Sequence, residues 1–277
     1  MTQEAGQEMQ RVFVVLDPER MVQPAFERGE WIAARNGAIL HLFCCIGERG
    51  VAADDPAAVF ALQRVERWLK RLTEEAADYQ ITTEIQIEWD PNWRDRIAEA
   101  ATECGADMIV KTVSRHSGLS RQLKNTADWA ILSQARCPVL LIDPARPPQP
   151  KQVLAAVKLN PDSEQYSILN ERVLKLAHQI AGSLEAGLNA VTVYKGDEIH
   201  FDRQRLADRC GLPRNAVHAV EGAPHKQIAE VARKTAADIL VIGTAGRTLE
   251  DSGSFIGDTA QRIIDAVDTD IVVVPAA

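Results

Sequence analysis

The sequence predicts an α/β protein built from two tandem, doubly wound domains, each a five-stranded parallel sheet with helices on both faces. Short apolar segments of strand length alternate with amphipathic helical segments along the whole chain of 277 residues. Strands that are apolar on both faces and alternate with helices are typical of parallel sheets covered by helices. The same order of segments occurs twice, and a chain of this length has room for two domains of about 140 residues.

The first half contains five predicted strands and four predicted helices. The helix at 24–36 is expected to end at Gly37, because glycine readily adopts the left-handed conformation that commonly ends a helix. The segment 56–79 carries apolar residues at three- and four-residue steps, which form one face of a helix; they are Val59, Leu62, Val65, Leu69 and Leu72. The strands are expected at 12–16, 38–46, 82–89, 108–113 and 139–142, and the remaining helices at 93–104 and 123–135.

The second half repeats the first. Its strands are expected at 153–159, 189–194, 216–221, 239–243 and 271–274. Residues 106–110 correspond to residues 237–241, and Thr126-Ala127 to Thr259-Ala260. Between the halves, residues 144–150 hold four prolines in seven positions, which favour an extended linker. We therefore predict a first domain at 1–143, a linker at 144–150 and a second domain at 151–277.

Charge and composition exclude several classes of protein. The net charge is −8, from 31 basic and 39 acidic residues, whereas binding a nucleic-acid backbone needs concentrated positive charge. The apolar runs have strand length and are too short to cross a membrane. The polar N-terminus lacks the apolar core of a signal peptide, and the five cysteines form no C-x-x-C pair. We expect a cytoplasmic protein with reduced thiols, and neither nucleic acid nor membrane as a partner.

The loops after the strands are the places to look for a ligand, because parallel sheets bind ligands beyond the carboxyl ends of their strands. The most informative loop is 243–259, which follows a predicted strand and opens a helix. Its glycines let the backbone approach a ligand closely, and N–H groups at a helix start favour anions. The spacing is neither the dinucleotide fingerprint nor a P-loop, so composition alone equally allows a tight turn without a ligand.

Together with the duplication, this loop resembles that of the universal stress protein family, most closely its tandem, E-type members. The family motif is Gly, two residues, Gly, nine residues, Gly, then Ser or Thr. Gly243, Gly246 and Gly257 match its glycines, although ten residues separate the last two and Asp258 replaces the Ser or Thr. The resemblance covers residues 10–277 and includes the stretches 243–248, 257–260 and 125–129.

The resemblance implies a strand order of 3-2-1-4-5 in each domain and a site for ATP or another adenine nucleotide. In the family the glycine loop wraps the ribose and phosphates, and an Asp after the first strand faces the adenine. The two domains are implied to pack as an internal pseudo-dimer, and whether two such chains pair again as a homodimer stays open. The implied role is stress resistance without a defined catalytic reaction.

The second domain keeps the glycines but has Lys158 where the family has the Asp. Asp258 would also bring a carboxylate near the expected phosphates, which is unfavourable by about 1–4 kcal/mol for each charge pair. Lys158 could offset this repulsion. The predicted nucleotide-binding residues of this domain are Lys158, Gly243, Thr244, Gly246, Arg247, Gly257, Asp258 and Thr259.

The first domain keeps the family Asp as Asp17 but has lost all three glycines of the loop. Side chains occupy the path where the backbone would approach a phosphate, so we expect no ATP bound in the family manner. The loop is locally basic, so an unrelated anion could bind there; a solvated charged loop is the simpler interpretation. The residues of this degenerate site are Asp17, Thr112, Arg115, Lys124 and Asn125.

The leading prediction is a non-enzymatic binding module of the stress response, and the alternative is a scaffold or small-molecule carrier that has lost nucleotide binding in both domains. Trp89 and Trp93 could line an apolar pocket or simply pack the strand ends. A nucleotide hydrolase would have to use Asp251 and Asp258, the only carboxylates expected near the phosphates. The histidines at positions 200 and 225 lack trustworthy metal-ligand spacing, so neither catalytic residues nor a metal site are predicted.

Overall fold

A computed structural model describes residues 9–76, 81–113, 126–146, 149–158, 164–194, 196, 203–244 and 257–276. The strands are β1 (Arg11–Val15), β2 (Ile39–Ile46), β3 (Thr83–Trp89), β4 (Met108–Thr112), β5 (Val139–Ile142), β6 (Gln152–Ala156), β7 (Gly187–Tyr194), β8 (Val217–Glu221), β9 (Ile239–Thr244) and β10 (Asp270–Pro275). The helices are α1 (Pro24–Asn36), α2 (Pro56–Ala76), α3 (Trp93–Glu103), α4 (Ala127–Gln134), α5 (Glu164–Leu184), α6 (Arg203–Cys210), α7 (Pro224–Lys234) and α8 (Asp258–Ala266).

The described residues form two compact units. The first contains those up to residue 113 together with Thr126–Cys137, and the second contains those from Pro138 onward. The first unit has the parallel strand order β3-β2-β1-β4. The second has β8-β7-β6-β9-β10, all parallel, which is the predicted order 3-2-1-4-5. The predicted fold class, α/β with mostly parallel sheets, is confirmed.

In the first half β5 follows β4, which gives the predicted order 3-2-1-4-5, but β5 has one further neighbour that the sequence did not predict. β5 pairs with β10 in the second unit and runs antiparallel to it, with Leu140 opposite Val272. All four residues of β5 are buried, and its partner strand is equally apolar. Pairing satisfies the backbone groups of both strands in a setting without water. Contacts therefore group β5 with the second unit, whereas the linker at 144–150 remains the predicted boundary of the sequence repeat.

The cores are built as a parallel sheet requires. Val12, Phe13 and Val14 are each fully buried although they face alternate sides of the sheet. Helices α1 and α3 pack on the strands of the first unit, and α5 and α7 pack on those of the second. The chain moves outward from β1 to β3 and then crosses back to β4 on the other side of β1. Because both connections are right-handed, α1 and α3 cover opposite faces of the first sheet. The left-handed Gly37, with φ of 62°, ends α1 as predicted and donates its N–H to Ala33 O.

A chain of polar contacts crosses one face of the first sheet and explains the buried His41. Its Nδ1 lies 3.1 Å from Arg11 Nη1, and its Nε2 lies 2.8 Å from Gln86 Oε1. Gln86 donates to Glu88, which also accepts two hydrogen bonds from Arg96. The His41 Nδ1 also lies 3.2 Å from Glu84 Oε2, so both ring nitrogens of His41 have polar partners. His41 is therefore a structural residue, as the sequence indicates.

Candidate functional site

A cavity of about 340 Å³ lies in the first unit at the carboxyl ends of β1, β2 and β4. This is the edge of the sheet at which doubly wound proteins bind ligands. The lining combines the turn after β1 with side chains from α3 and β4; it includes Asp17, Arg20, Gln23, Cys45, Trp93, Ile97, Lys111 and Thr112. A volume of this size is in the range of small-molecule pockets, which begins at about 300 Å³.

Asp17 and Arg20 fix the turn at the mouth of this cavity. Asp17 Oδ1 accepts the backbone N–H of Glu19 at 3.0 Å, and its Oδ2 lies 3.3 Å from Arg20 Nε. Arg20 Nη2 also donates to Val113 O at 3.1 Å, which ties the turn to the end of β4. The Gln23 side-chain amide stabilises the turn by donating to Asp17 O at 2.6 Å. Asp17 therefore lies where the sequence predicts it, with its carboxylate already engaged by an arginine.

Thr112 takes the position that the first glycine of the loop has in the second half. Its hydroxyl accepts the backbone N–H of Ala25 at 3.2 Å and is buried against the start of α1. At Gly243, the corresponding position, a Cβ would lie 2.7 Å from Leu169 Cγ on α5. The same strand position therefore touches the first helix in both halves. In the first half the Thr112 hydroxyl forms a hydrogen bond there, whereas in the second half a side chain larger than that of Gly243 would overlap Leu169.

A buried ion pair lies beneath the cavity. Lys111 Nζ lies 2.7 Å from Asp128 Oδ1 and also donates to Thr112 O at 2.8 Å. Both side chains are at least nine-tenths buried. The second half has Ile242 and Gln261 at the corresponding positions. The pair is therefore a feature of the first half, and sequence reasoning missed it because the two residues are 17 positions apart.

In the second unit, Lys158 and Thr244 come from neighbouring parallel strands. Ala156 of β6 is paired with Ile242 of β9, so the residues two positions further on leave the sheet side by side. The Lys158 ammonium lies 4.7 Å from the ring centroid of Tyr166, a cation–π contact with α5. Its backbone is held at both polar groups by the Asn170 side chain.

The remaining predicted residues of the second unit divide into two groups. Gly257 precedes α8, and Asp258 and Thr259 are exposed in the first turn of that helix. Gly246 and Arg247 lie outside the described residues, as do Arg115, Lys124 and Asn125 of the first-domain loop and Asp251. In the described part of the chain, no group of three His, Cys, Asp or Glu side chains is placed to hold a metal ion.

Comparison with known proteins agrees with the repeated architecture. The sequence profile of the universal stress protein family matches residues 8–143 and, a second time, residues 147–275. This chain belongs to the universal stress protein family. The tandem arrangement predicted from the sequence is confirmed by the two matches.

Relatives of this tandem universal stress protein share its length. Universal stress protein E of Escherichia coli (strain K12) is 24% identical over an alignment of 296 positions, which covers 96% of this chain and 93% of the relative. A solved structure of a functionally unknown Pseudomonas aeruginosa PAO1 protein has a TM-score of 0.82 at 24% identity, covering 97% of this chain and 93% of that one. A universal stress protein from Archaeoglobus fulgidus DSM 4304 has a TM-score of 0.72 at 17% identity, with 96% of each chain covered. At these identities the two solved structures show the fold.

The tryptophans at the ligand edge of this universal stress protein line concave surfaces. Trp93 lines the first-unit cavity. Trp89 lines a separate open groove and donates its indole N–H to Val51 O at 3.0 Å. Both interpretations drawn from the sequence stay open, since each ring borders a concave surface and Trp89 also packs against residue 51 at the end of its strand. No helix in the described ranges is long and apolar enough to cross a membrane.

The cysteines of this universal stress protein are all free thiols. Burial raises the pKa of Cys44 to about 12, with the neighbouring Cys45 as a smaller cause. Burial likewise raises the pKa of Cys45 and Cys137, each to about 12. A thiolate is the reactive form of cysteine, so these thiols are poor nucleophiles near neutral pH. Although Cys45 borders the cavity and Arg96 lowers its pKa, burial and the Glu88 and Asp90 carboxylates outweigh that effect.

Cys44 should make the first unit less stable as the pH rises above about 8.5. Its folded-state pKa is above its unfolded-state value, so its contribution to stability is complete below the unfolded pKa and decreases as the pH rises towards about 12. The expected slope is about 1.4 kcal/mol per pH unit for one thiol. Urea unfolding at pH 8 to 11 should show a steeper loss for the wild type than for Cys44→Ala. Equal slopes for the two proteins would contradict this prediction.

Proposed function

We propose that this tandem universal stress protein is a non-enzymatic binding module of the stress response, and that its second unit binds ATP or another adenine nucleotide. The observation that carries the proposal is the register between β6 and β9, in which Ala156 pairs with Ile242, two residues before Lys158 and Thr244. Gly243 in β9 and Gly257 before α8 flank the loop that carries the family motif. The free thiols are in keeping with a cytoplasmic location.

The charges at this edge set the expected affinity. The Lys158 side chain is exposed, so its ammonium can leave the Tyr166 ring to meet a phosphate at little cost. Asp258 opposes the same phosphate from the first turn of α8, where the backbone N–H groups would otherwise favour it. These opposing effects predict weaker nucleotide binding than in a site with an uncharged residue at position 258.

Isothermal titration calorimetry with ATP tests this site. The wild type should bind ATP in the second unit, Gly246→Val should lose that binding event because a branched side chain enters the loop, and Asp258→Ser should bind there about fivefold or more tightly, since removing one like charge is worth about 1 kcal/mol or more. Gly182→Val is the matched control, because a Cβ at this exposed position of α5 meets no other atom. An equal number of ATP sites in the wild type and Gly246→Val, or no binding by either, would contradict the assignment.

A second candidate function is that of a small-molecule carrier that has lost nucleotide binding in both units. The first-unit cavity favours it, because the Thr112 side chain lies where the second half has the first glycine of the loop, and its hydroxyl is bonded to Ala25 N–H. The cavity offers Trp93 and Ile97 on one wall and the Asp17–Arg20 turn on the other. Such a lining suits a ligand with an apolar body and one polar group.

Native mass spectrometry of the purified protein separates the two candidates. A carrier should retain a small molecule that is not a nucleotide, and the variant Trp93→Ala should lose it while its fold, followed by circular dichroism, is unchanged. A co-purified adenine nucleotide that survives in Trp93→Ala would refute the carrier function. A nucleotide lost in Gly246→Val would support the leading proposal instead.

A further inference from the structure

An open groove of about 650 Å³ lies between α2 and the ends of β2 and β3 in the first unit. It adjoins the cavity described above, with the turn after β2 forming a shared wall. Neither the family motif nor the predicted site residues include its lining. We call it the α2 groove and define it by five side chains, namely Arg64, Arg67, Trp68, Arg71 and Trp89.

Three arginines follow one side of the groove. They are three and four residues apart, so they lie on one face of α2 and extend over about 10 Å of its length. Arg64 and Arg71 are exposed, and neither forms an ion pair or hydrogen bond with another described residue. Arg67 donates only to the backbone of its own helix, at Gln63 O. By contrast, Lys70 of the same helix pairs with Glu66 at 2.9 Å. None of the carboxylates in the described part of the chain therefore pairs with these three guanidinium groups.

Two indole rings accompany these guanidinium groups. Trp68 lies on α2 between Arg64 and Arg71 and is half-buried. Trp89 ends β3, and its hydrogen bond to Val51 O holds the ring in place. Aromatic faces stack on planar ligand rings, and guanidinium groups match phosphates with two parallel hydrogen bonds. Rings and cations on the same concave surface therefore select a molecule that carries both an aromatic group and phosphates.

The acidic side chains of the groove refine the orientation of such a ligand. Glu19 and Glu48 lie on the turns after β1 and β2, away from α2. With three guanidinium groups against these two carboxylates, the positive charge is concentrated along the helix. Phosphates are repelled from the turns, whereas hydroxyl or amino groups can donate hydrogen bonds to the carboxylates there.

We propose that the α2 groove binds a small aromatic polyanion, of the chemical class of a nucleoside polyphosphate, with its phosphates along Arg64, Arg67 and Arg71 and its ring against the tryptophans. The volume lies in the range of small-molecule sites, about 300–1,000 Å³. The net charge of −8 disfavours a long nucleic acid, whose backbone extends beyond the groove. This site is separate from the glycine loop of the second unit and does not depend on it.

Tryptophan fluorescence gives a direct test, because all five tryptophans lie in residues 31–129 and none in the second unit. ATP, inorganic tripolyphosphate and adenosine are titrated into the full chain carrying Gly246→Val, which removes the proposed second-unit site. ATP should change the emission most strongly, tripolyphosphate should compete with it, and adenosine alone should bind at least tenfold more weakly. Trp89→Phe should reduce the ATP-induced change.

Two double variants decide where the ligand binds. Arg64→Gln with Arg71→Gln should weaken ATP binding at least tenfold without altering the fold, since neither side chain has a described partner. Arg214→Gln with Arg233→Gln removes the same charge from exposed sites of the second unit and should bind as the parent does. If ATP leaves the emission unchanged up to millimolar concentration, or if both double variants bind alike, the inference is wrong. Calorimetry that finds one ATP site fewer in Gly246→Val than in the wild type, together with an intact fluorescence response in the variant, would support both sites independently.

Discussion

Replacing Asp128 by alanine is expected to destabilise the first unit by about 3–5 kcal/mol, the range measured when one partner of a buried ion pair is removed. Asp128 is 1% exposed, and its carboxylate faces the Lys111 ammonium at 2.7 Å. Without the carboxylate, the ammonium must either remain charged in a poorly solvated place or lose its proton, and both are unfavourable. The tryptophan-detected unfolding transition in urea measures this effect in the first unit alone.

The second half of the chain provides the matched control. It has Ile242 at the position of Lys111 and Gln261 at that of Asp128. The double variant Lys111→Ile with Asp128→Gln therefore removes both charges together and should unfold within about 1 kcal/mol of the wild type, or be more stable. A double-mutant cycle gives the coupling between the two side chains. If Asp128→Ala is also within about 1 kcal/mol of the wild type, the pair is not a buried ion pair in solution.

This ion pair shows which features could not be predicted from the sequence. Periodicity and repetition depend on local patterns, and these predicted the strands, the helices and the end of α1 at Gly37. The strand order 3-2-1-4-5 followed from the family resemblance. Lys111 and Asp128 come together only because α4 packs against the sheet, and no local pattern links them. The same holds for β5, whose apolar sequence is compatible with either a parallel or an antiparallel neighbour.

Only part of the first-unit site could be predicted, because the rest likewise depends on contacts between distant residues. The rule that ligands lie beyond the carboxyl ends of parallel strands indicated the loop after Leu16, and the family resemblance indicated Asp17 within it. The α2 groove has a signal in the sequence, since Arg64, Arg67 and Arg71 lie at helical spacing beside Trp68. It was missed because only the apolar residues of this helix were used to predict its role. Val65 and Leu69 of that face are buried as expected, whereas Val59 is 39% exposed.

Gly47→Ala is the second variant with a large expected effect, and it acts on both concave surfaces of the first unit. A Cβ at Gly47 would lie 2.3 Å from the carbonyl carbon and oxygen of Asp90 and 2.6 Å from Pro91 N. These are backbone atoms, so no side-chain rotation relieves the overlap. The turns after β2 and β3 would have to separate, which strains the hydrogen bond from Asp90 N–H to Ile46 O. Overpacking of this kind costs about 1–3 kcal/mol, and we expect the upper end of that range.

Gly182→Ala distinguishes this steric effect from the general effect of adding a methyl group. Position 182 is exposed on α5 and a Cβ there meets no other atom, so this variant should be neutral or slightly stabilising. Because Gly47 borders both the cavity and the α2 groove, its variant should also weaken ATP binding in the fluorescence titration, whereas Gly182→Ala should not. A stable Gly47→Ala protein that binds ATP as the wild type does would mean that the two turns are not held this closely. The shape of the α2 groove would then depend on helix α2 alone.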